Sequence, residues 1–253
     1  MIDSHAHVGR PEFDADRDEA LARARAAGVS VVIEAGTDAA SSRAAIELAR
    51  RVPGIRAAVG FHPCDVRADR MAEMDQIEAL AGEPEVVAIG ETGLDFHRPD
   101  NAPREVQEEF LRRHIEIARR TGKPLVLHHR AAGERVAELL EEAGSLPAGG
   151  TFHCFSGNLA LARRVVSIGF RLGVGGSATF KKSPLPALLQ EIELRHVLLE
   201  TDSPYLAPMP HRGKRNEPAY LALIRDQVAG AIGIAPGALE EATDAGARTL
   251  FRL

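Results

Sequence analysis

A pair of histidines near the beginning of the sequence has the spacing of a metal chelate. His5 and His7 are separated by one residue at the end of a predicted strand, residues 1–5. Side chains two residues apart on an extended chain point to the same side. The two imidazoles could therefore bind one metal ion, although the same pair could also lie by chance on a surface turn.

Two carboxylates also follow apolar runs. Glu91 comes directly after the run 86–90, with glycines at positions 90 and 93, and Asp202 directly follows the predicted strand 196–201. A carboxylate at the end of a strand as apolar as 86–90 is costly to remove from water unless a cation or hydrogen bonds compensate it. Glu91 could instead be a solvated loop residue, but the nearby glycines indicate a backbone shaped for close approach.

Two further histidines, His128 and His153, end two more predicted strands. A lone histidine is usually a hydrogen-bonded structural residue, whereas two at equivalent strand ends favour a common role. His129 follows His128 directly, so the sequence leaves the ligand at this strand end open between the two neighbours. Strand alternation selects His128 only if the register of the strand is the predicted one.

Together these residues have the composition of a hydrolytic metal site. Their mixed nitrogen and oxygen donors suit Zn²⁺, Mn²⁺ or related ions. Two such ions about 3.5 to 4 Å apart stabilise the attacking and leaving oxygens of a displacement and lower the pKa of bound water. We predict Asp202 as the general base, Glu91 as the second catalytic carboxylate, and as metal ligands His5, His7, Glu91, His128, His153 and Asp202.

The elements that would position these side chains alternate along the chain. Short aliphatic runs alternate with charged segments of helical period, which is typical of βα units around a parallel sheet. We predict an α/β fold, one TIM-type (β/α)8 barrel over residues 1–253. Predicted strands span 1–5, 29–34, 55–60, 86–91, 124–128, 150–153, 170–174 and 196–201; predicted helices span 16–27, 40–51, 71–81, 102–121, 132–143, 159–168, 185–192 and, as extra C-terminal helices that seal the barrel, 217–232 and 236–250.

Composition excludes several classes of protein. The hydrophobic fraction of 45% suits a packed core, and the net charge of −5 indicates no general affinity for polyanions. Two cysteines are too few for a disulfide framework, and no apolar run is long enough to span a membrane. We expect a cytoplasmic monomer that has no membrane partner.

Seven ordered motifs cover nearly the whole chain, and with them the sequence resembles the TatD family of metal-dependent deoxyribonucleases, within the amidohydrolase-like barrels. The motifs are Asp3-Ser4-His5-Ala6-His7, Gly60-Phe61-His62-Pro63, Gly90-Glu91-Thr92-Gly93-Leu94-Asp95, residues 124–128 with Arg130, His153-Cys154-Phe155-Ser156-Gly157, residues 200–205 and Arg215-Asn216-Glu217-Pro218.

The resemblance implies a division of the ligands between two divalent ions, Mg²⁺ or Mn²⁺ for activity and Zn²⁺ as a possible bound ion. His5, His7, Glu91 and Asp202 would hold one ion, while Glu91, His128 and His153 would hold the other, so that Glu91 bridges them. Family positions near the substrate are matched by His62, Arg130, Tyr205, Arg215 and Asn216. Arg215 could equally be a solvated loop cation, and Asn216 could merely cap the next helix. His97, in a loop, has no assigned role.

The implied activity is hydrolysis of phosphodiester bonds in DNA, as a 3′-5′ exonuclease on single strands. The alternative is a hydrolase of small amides, esters or lactones, or a deacylase of aminoacyl-tRNA, on the same metal site. Many small-molecule barrels of this kind bridge their metals with a modified lysine, whereas Glu91 stands at that position here, which favours the nuclease. A third hypothesis is a metal-binding protein without activity, which the presence of every expected ligand argues against.

Overall fold

The computed structural model describes residues 1–253 and contains eight parallel strands that follow one another around the sheet in chain order. Each strand pairs in parallel with the next, as a helical crossover between them requires. The strands are β1 (Ile2–Ala6), β2 (Val31–Ala35), β3 (Ile55–Val59), β4 (Val86–Asp95), β5 (Leu125–Arg130), β6 (Gly150–Phe152), β7 (Phe170–Val174) and β8 (Val197–Leu199).

Hydrogen bonds just beyond β8 close the sheet against β1. The backbone N–H of Asp202 donates to the carbonyl oxygen of His5 at 2.9 Å. Asp3, buried in β1, accepts hydrogen bonds from the backbone N–H of Thr201 at 2.8 Å and from its hydroxyl at 2.6 Å. The result is a TIM-type (β/α)8 barrel, which confirms the predicted fold class.

Helices lie between the strands, and two more follow β8. They begin with local caps where the sequence provides them: Asp38 accepts from the N–H of Ser41 at 2.8 Å, and Asn158 from that of Leu161 at 2.9 Å. None combines the length and apolarity needed to cross a bilayer. They are α1 (Arg17–Ala26), α2 (Ala39–Arg51), α3 (Met74–Leu80), α4 (Arg104–Thr121), α5 (Gly133–Ala143), α6 (Leu159–Ser167), α7 (Leu185–Leu189), α8 (Leu221–Ile232) and α9 (Pro236–Phe251).

Some predicted boundaries were wrong. A 3₁₀ segment, Ala68–Glu73, replaces the beginning of the helix predicted over 71–81, and another, Pro218–Tyr220, precedes α8, so that helix begins later than the predicted position 217. The helix predicted over 185–192 is shorter, ending at Leu189.

The core has two parts, and the smaller part explains the position of the last helix. Most buried apolar residues pack between the strands and the surrounding helices. The second cluster joins residues of six strands to the C-terminal part of α9: Ile2, Ile33, Ala58, Ala88, Val126 and Leu198 with Ala247, Leu250 and Phe251. Helix α9 therefore covers the N-terminal end of the barrel, and the polar residues gather at the opposite end.

Strand β4 extends four residues beyond the predicted end at Glu91. Its pairing with β5 continues as Thr92 with Leu127 and Gly93 with His128. Gly93 has a φ of +131°, and a Cβ there would lie 2.0 Å from the carbonyl oxygen of His128, so only glycine fits at this position. Gly93 is therefore part of the strand.

A buried histidine on α4 attaches that helix to the end of β3. The Nε2 of His114 accepts a hydrogen bond from the N–H of Phe61 at 2.9 Å, and its Nδ1–H donates to the carbonyl oxygen of Phe110 at 2.7 Å. Burial lowers the pKa of His114 from 6.5 to about 4. The folded protein therefore keeps this ring neutral over a pH range in which the unfolded chain protonates it.

We expect this difference to make stability depend on pH. The contribution of His114 is fully present above pH 6.5 and is lost as the pH falls toward 4, which amounts to about 2 kcal/mol between pH 7 and pH 5. Urea unfolding of wild type and of His114→Gln at both pH values measures it. The variant should lose about 2 kcal/mol less than wild type over this interval. Equal losses in the two proteins would contradict the assignment.

Candidate metal centre

The predicted metal ligands converge at the C-terminal end of the barrel. His5, Glu91 and His128 lie on β1, β4 and β5, whereas His7, His153 and Asp202 follow β1, β6 and β8 within a few residues. Four of them, His7, Glu91, His153 and Asp202, line a cleft of about 620 Å³. Three overlapping groups have their ligand atoms within 4.8 Å of one another: His5, His153 and Asp202; His5, His7 and Glu91; His62, Glu91 and His128.

Glu91 lies at the middle of the cluster, and its two oxygens face different histidines. Its Oε2 is 3.4 Å from Nε2 of His5 and 3.2 Å from Nε2 of His7. Its Oε1 is 3.1 Å from Nδ1 of His128 and 2.8 Å from Nε2 of His153. One carboxylate thus belongs to two groups of nitrogen donors.

Asp202 lies on the His5 and His7 side of the cluster. Its Oδ1 is 3.6 Å from Nε2 of His5 and 3.7 Å from Nε2 of His7. Its side chain makes no hydrogen bond within the protein, and the residue lines the cleft. The hydrogen bond from its backbone N–H to His5 holds it there.

The charges of the cluster depend on Glu91. Burial alone would raise the pKa of this carboxyl, but the surrounding imidazoles outweigh burial and hold the pKa well below its usual range. Burial has the opposite effect on His7 and His128, because it lowers the pKa of an imidazole. Hydrogen bonds and charge from Glu91, and for His128 also from Asp95, outweigh burial and raise both pKa values to about 9. Glu91 therefore stabilises positive charge on these two imidazoles.

The donor set fits divalent cations. Nε2 of His5 and Nε2 of His7 lie only 3.1 Å apart, and both are near the same oxygen of Glu91. Two imidazole lone pairs at this separation repel each other unless a proton or a cation lies between them. Buried nitrogen and carboxylate donors converging on one point are what Zn²⁺ or Mn²⁺ requires.

Two ligand rings are oriented by partners outside the cluster. Nε2–H of His128 donates to Oδ2 of Asp95 at 3.1 Å, so Nδ1 faces Glu91. Nδ1–H of His7 donates to the carbonyl oxygen of Ala35 at 2.9 Å, so Nε2 faces Glu91. Such partners fix the ring orientation and tautomer of metal-binding histidines. The sequence analysis gave Asp95 no role, although residues 91, 93 and 95 share one face of the longer β4.

The structure selects between His128 and His129. His128 points toward Glu91, whereas the ring of His129 packs against Phe152 and Phe155, with centroids 5.2 and 5.6 Å away. Burial lowers the pKa of His129 to about 3. His97 is exposed and does not line the cleft.

His62 lies in the cluster rather than only near the substrate. Its Nε2 is 3.2 Å from Oε1 of Glu91 and 3.3 Å from Nδ1 of His128. It is therefore a further candidate metal ligand, although the sequence placed it among the substrate contacts. The signal was its position shortly after β3, since β3 is a neighbour of β4.

The other predicted substrate contacts divide into two pairs. Arg130 and Tyr205 line the cleft, and the hydroxyl of Tyr205 accepts a hydrogen bond from Arg10 at 2.8 Å. Arg215 and Asn216 do not line the cleft. Arg215 pairs with Asp16 at 2.6 Å.

Asn216 is completely buried and supports the loop that follows β8. Its amide donates to the carbonyl oxygens of Thr201 and Tyr205 at 2.7 and 2.6 Å. A buried amide bonded in this way positions the backbone on both sides of Asp202. Asn216 therefore supports this loop, and its side-chain oxygen also accepts from the N–H of Glu217 at 2.9 Å, in line with the capping alternative to a substrate contact.

A (β/α)8 barrel that gathers imidazoles and carboxylates at the C-terminal ends of its strands defines the class of metal-dependent hydrolases. A family model described as TatD related DNase matches residues 2–252. The chain belongs to this family, which confirms the resemblance found in its motifs.

Individual relatives are similar to this chain over nearly their full length. The chain is 40% identical to "3′-5′ ssDNA/RNA exonuclease TatD" of Cronobacter sakazakii, covering 99% of this chain and 97% of that protein. It is 36% identical to "uncharacterized metal-dependent hydrolase YabD" of Bacillus subtilis, covering 100% and 99%. The crystal structure of YJJV, a TatD homologue from Escherichia coli K12, superposes with a TM-score of 0.93 at 30% identity, covering 100% and 98%.

Proposed function

We propose that the enzyme removes nucleotides from the 3′ end of single-stranded DNA with the help of two divalent cations. The observation that carries this proposal is the position of Glu91, whose Oε2 faces His5 and His7 while its Oε1 faces His128 and His153. A carboxylate shared in this way suits a pair of ions. The relative from Cronobacter sakazakii, named as a 3′-5′ exonuclease of ssDNA and RNA, supports the same substrate class.

His5, His7, Glu91 and Asp202 would hold one ion, and Glu91, His128 and His153 the other, with His62 adjoining the second. Bound cations would activate water and stabilise the charge that develops on the phosphate. Asp202 would take the proton from the attacking water on Oδ2, since Oδ1 faces the histidines and Oδ2 has no partner in the protein.

The rim of the cleft suits a phosphodiester. Arg10, Arg98 and Arg130 line it, and no lysine does. The ring of Tyr205 is 41% exposed at the rim, where a base can stack on it. Cations around the cleft favour an anionic substrate over a neutral amide, ester or lactone. Mg²⁺ or Mn²⁺ would support catalysis, while the imidazole-rich site would also bind Zn²⁺ tightly.

End-labelled single strands test this proposal. With Mg²⁺ or Mn²⁺ and metal occupancy confirmed by elemental analysis, a 5′-labelled strand should shorten stepwise, and a 3′-labelled strand should release labelled mononucleotide first. Chelator should stop both reactions. An intact strand in the metal-loaded protein would refute the nuclease assignment. A panel of esters, lactones and aminoacylated RNA, assayed in parallel, would then identify the alternative substrate class.

A further inference from the structure

Two chain segments at the end of the barrel that carries the cleft lack carboxylates entirely. Residues 176–190 follow β7 and residues 203–216 follow β8, and neither segment contains Asp or Glu. Together they contain five lysines and arginines, although the whole chain has 31 such residues against 36 acidic ones. The sign of the charge is therefore locally reversed on this part of the surface.

Four of these cations are free to meet a ligand. Lys181, Lys182, Arg212 and Lys214 are exposed, and their side chains form no ion pair or hydrogen bond within the protein, in contrast to Arg215, which pairs with Asp16. Elsewhere many arginines face carboxylates, as the half-buried Arg135, Arg164 and Arg113 do. Three of the four lysines of the chain lie in these two segments.

The two segments form one continuous surface. The N–H of Met209 donates to Oγ1 of Thr179 at 3.0 Å, and the guanidinium of Arg212 lies 4.5 Å from the centroid of the Phe180 ring. These contacts join the segment after β7 to the segment after β8.

The same surface carries the exposed apolar side chains. Tyr205, Leu206 and Met209 are the exposed large hydrophobic residues of the protein, at 41%, 39% and 42%. Tyr205 and Leu206 line the cleft, and Met209 lies three residues further along the same segment. Exposed apolar side chains beside unpaired cations are the combination that holds unpaired bases and phosphates.

We propose that this surface, here called the basic track and defined by Tyr205, Leu206, Met209, Lys181, Lys182, Arg212 and Lys214, binds the part of a single strand that lies outside the cleft. The inference rests on the proposed function: a strand whose 3′ end occupies the cleft must leave over its rim. Tyr205 and Leu206 would contact the first base outside the cleft, and the four cations would contact phosphates further toward the 5′ end.

Binding tests the basic track without cleavage. The track variant carries four substitutions, Lys181→Gln, Lys182→Gln, Arg212→Gln and Lys214→Gln. In an Asp202→Asn background, its binding to a labelled strand of about 15 nucleotides would be compared with that of the Asp202→Asn protein by fluorescence anisotropy. Each phosphate contact contributes about 0.7 to the slope of log Kd against log salt, so the slope should decrease by about 3. At low salt the Kd should rise about tenfold or more.

The matched control removes the same charge at the other end of the barrel. Arg25, Arg51, Arg56 and Arg252 are exposed, form no ion pair, and lie near the N-terminal ends of strands or after α9. Replacing these four by glutamine should leave the Kd and its salt slope at the Asp202→Asn values. Equal Kd values and equal salt slopes for the two quadruple variants would overturn the proposal.

Kinetics with the active enzyme separate this proposal from the proposed function. The track variant should show an increased KM on long strands, by about tenfold, while a dinucleotide that fits within the cleft is cleaved as by wild type. If the track variant and wild type had the same KM on long strands, the basic track would be refuted, but the exonuclease assignment would remain. A wild-type protein that binds long strands with the expected salt slope but cuts none would refute the exonuclease assignment instead.

Discussion

Asp202→Asn is expected to lower kcat on single-stranded DNA by about 10⁴-fold, the scale found when a carboxylate of a hydrolytic active site is neutralised. The asparagine keeps the volume of the side chain and can keep an oxygen toward His5 and His7. Its amide cannot accept the proton that Oδ2 of the carboxylate would take. Single-turnover cleavage with saturating metal measures the effect without a contribution from product release.

The pH profile distinguishes a general base from a merely structural residue. Burial raises the pKa of Asp202, so the carboxylate is protonated, and wild-type activity lost, as the pH falls. The residual activity of Asp202→Asn should lack this acid limb. Asp226→Asn, which changes an exposed carboxylate paired with Arg225 on α8 away from the cleft, is the control and should behave as wild type. A full rate with Asp202→Asn at normal metal content would show that another group accepts the proton.

The convergence of the candidate ligand residues could be predicted because it depends on topology. Each stands at or just beyond the end of an apolar run, and a parallel barrel brings such ends together whatever the details of packing. The choice of His128 over His129 needed only strand alternation once the register of β5 was known. The sequence therefore predicts which side chains lie together at this end of the barrel with little knowledge of the helices.

The parts that sequence did not predict depend on contacts between distant segments. Asp95 contacts His128 because β4 continues past Gly93, and nothing local in the sequence distinguishes that glycine from a turn. Arg215 faces Asp16, which is about 200 positions away in the chain. The packing of α9 against the N-terminal end of the barrel was not predicted either, because it depends on inward-facing residues from six different strands.

Glu91→Gln is expected to remove metal from both positions, since a single carboxylate contacts both groups of histidines. The neutral amide no longer compensates the charge of a cation in this buried place, and its nitrogen cannot serve as a ligand. The loss of metal affinity should exceed the roughly 10- to 100-fold loss expected for Asp95→Asn, which disturbs only the partner of a ligand. Elemental analysis after dialysis against a graded metal buffer measures both variants.

The number of metal ions that each chain of Glu91→Gln retains shows whether Glu91 bridges two ions. If its two oxygens serve different ions, Glu91→Gln should retain neither ion under conditions in which wild type keeps both, and exonuclease activity should fall below detection. A variant that still holds one ion per chain would assign Glu91 to a single site and make the second position independent of it. Circular dichroism of the metal-free proteins is the control for folding, because the aliphatic core of the barrel lies apart from this cluster and should be unchanged.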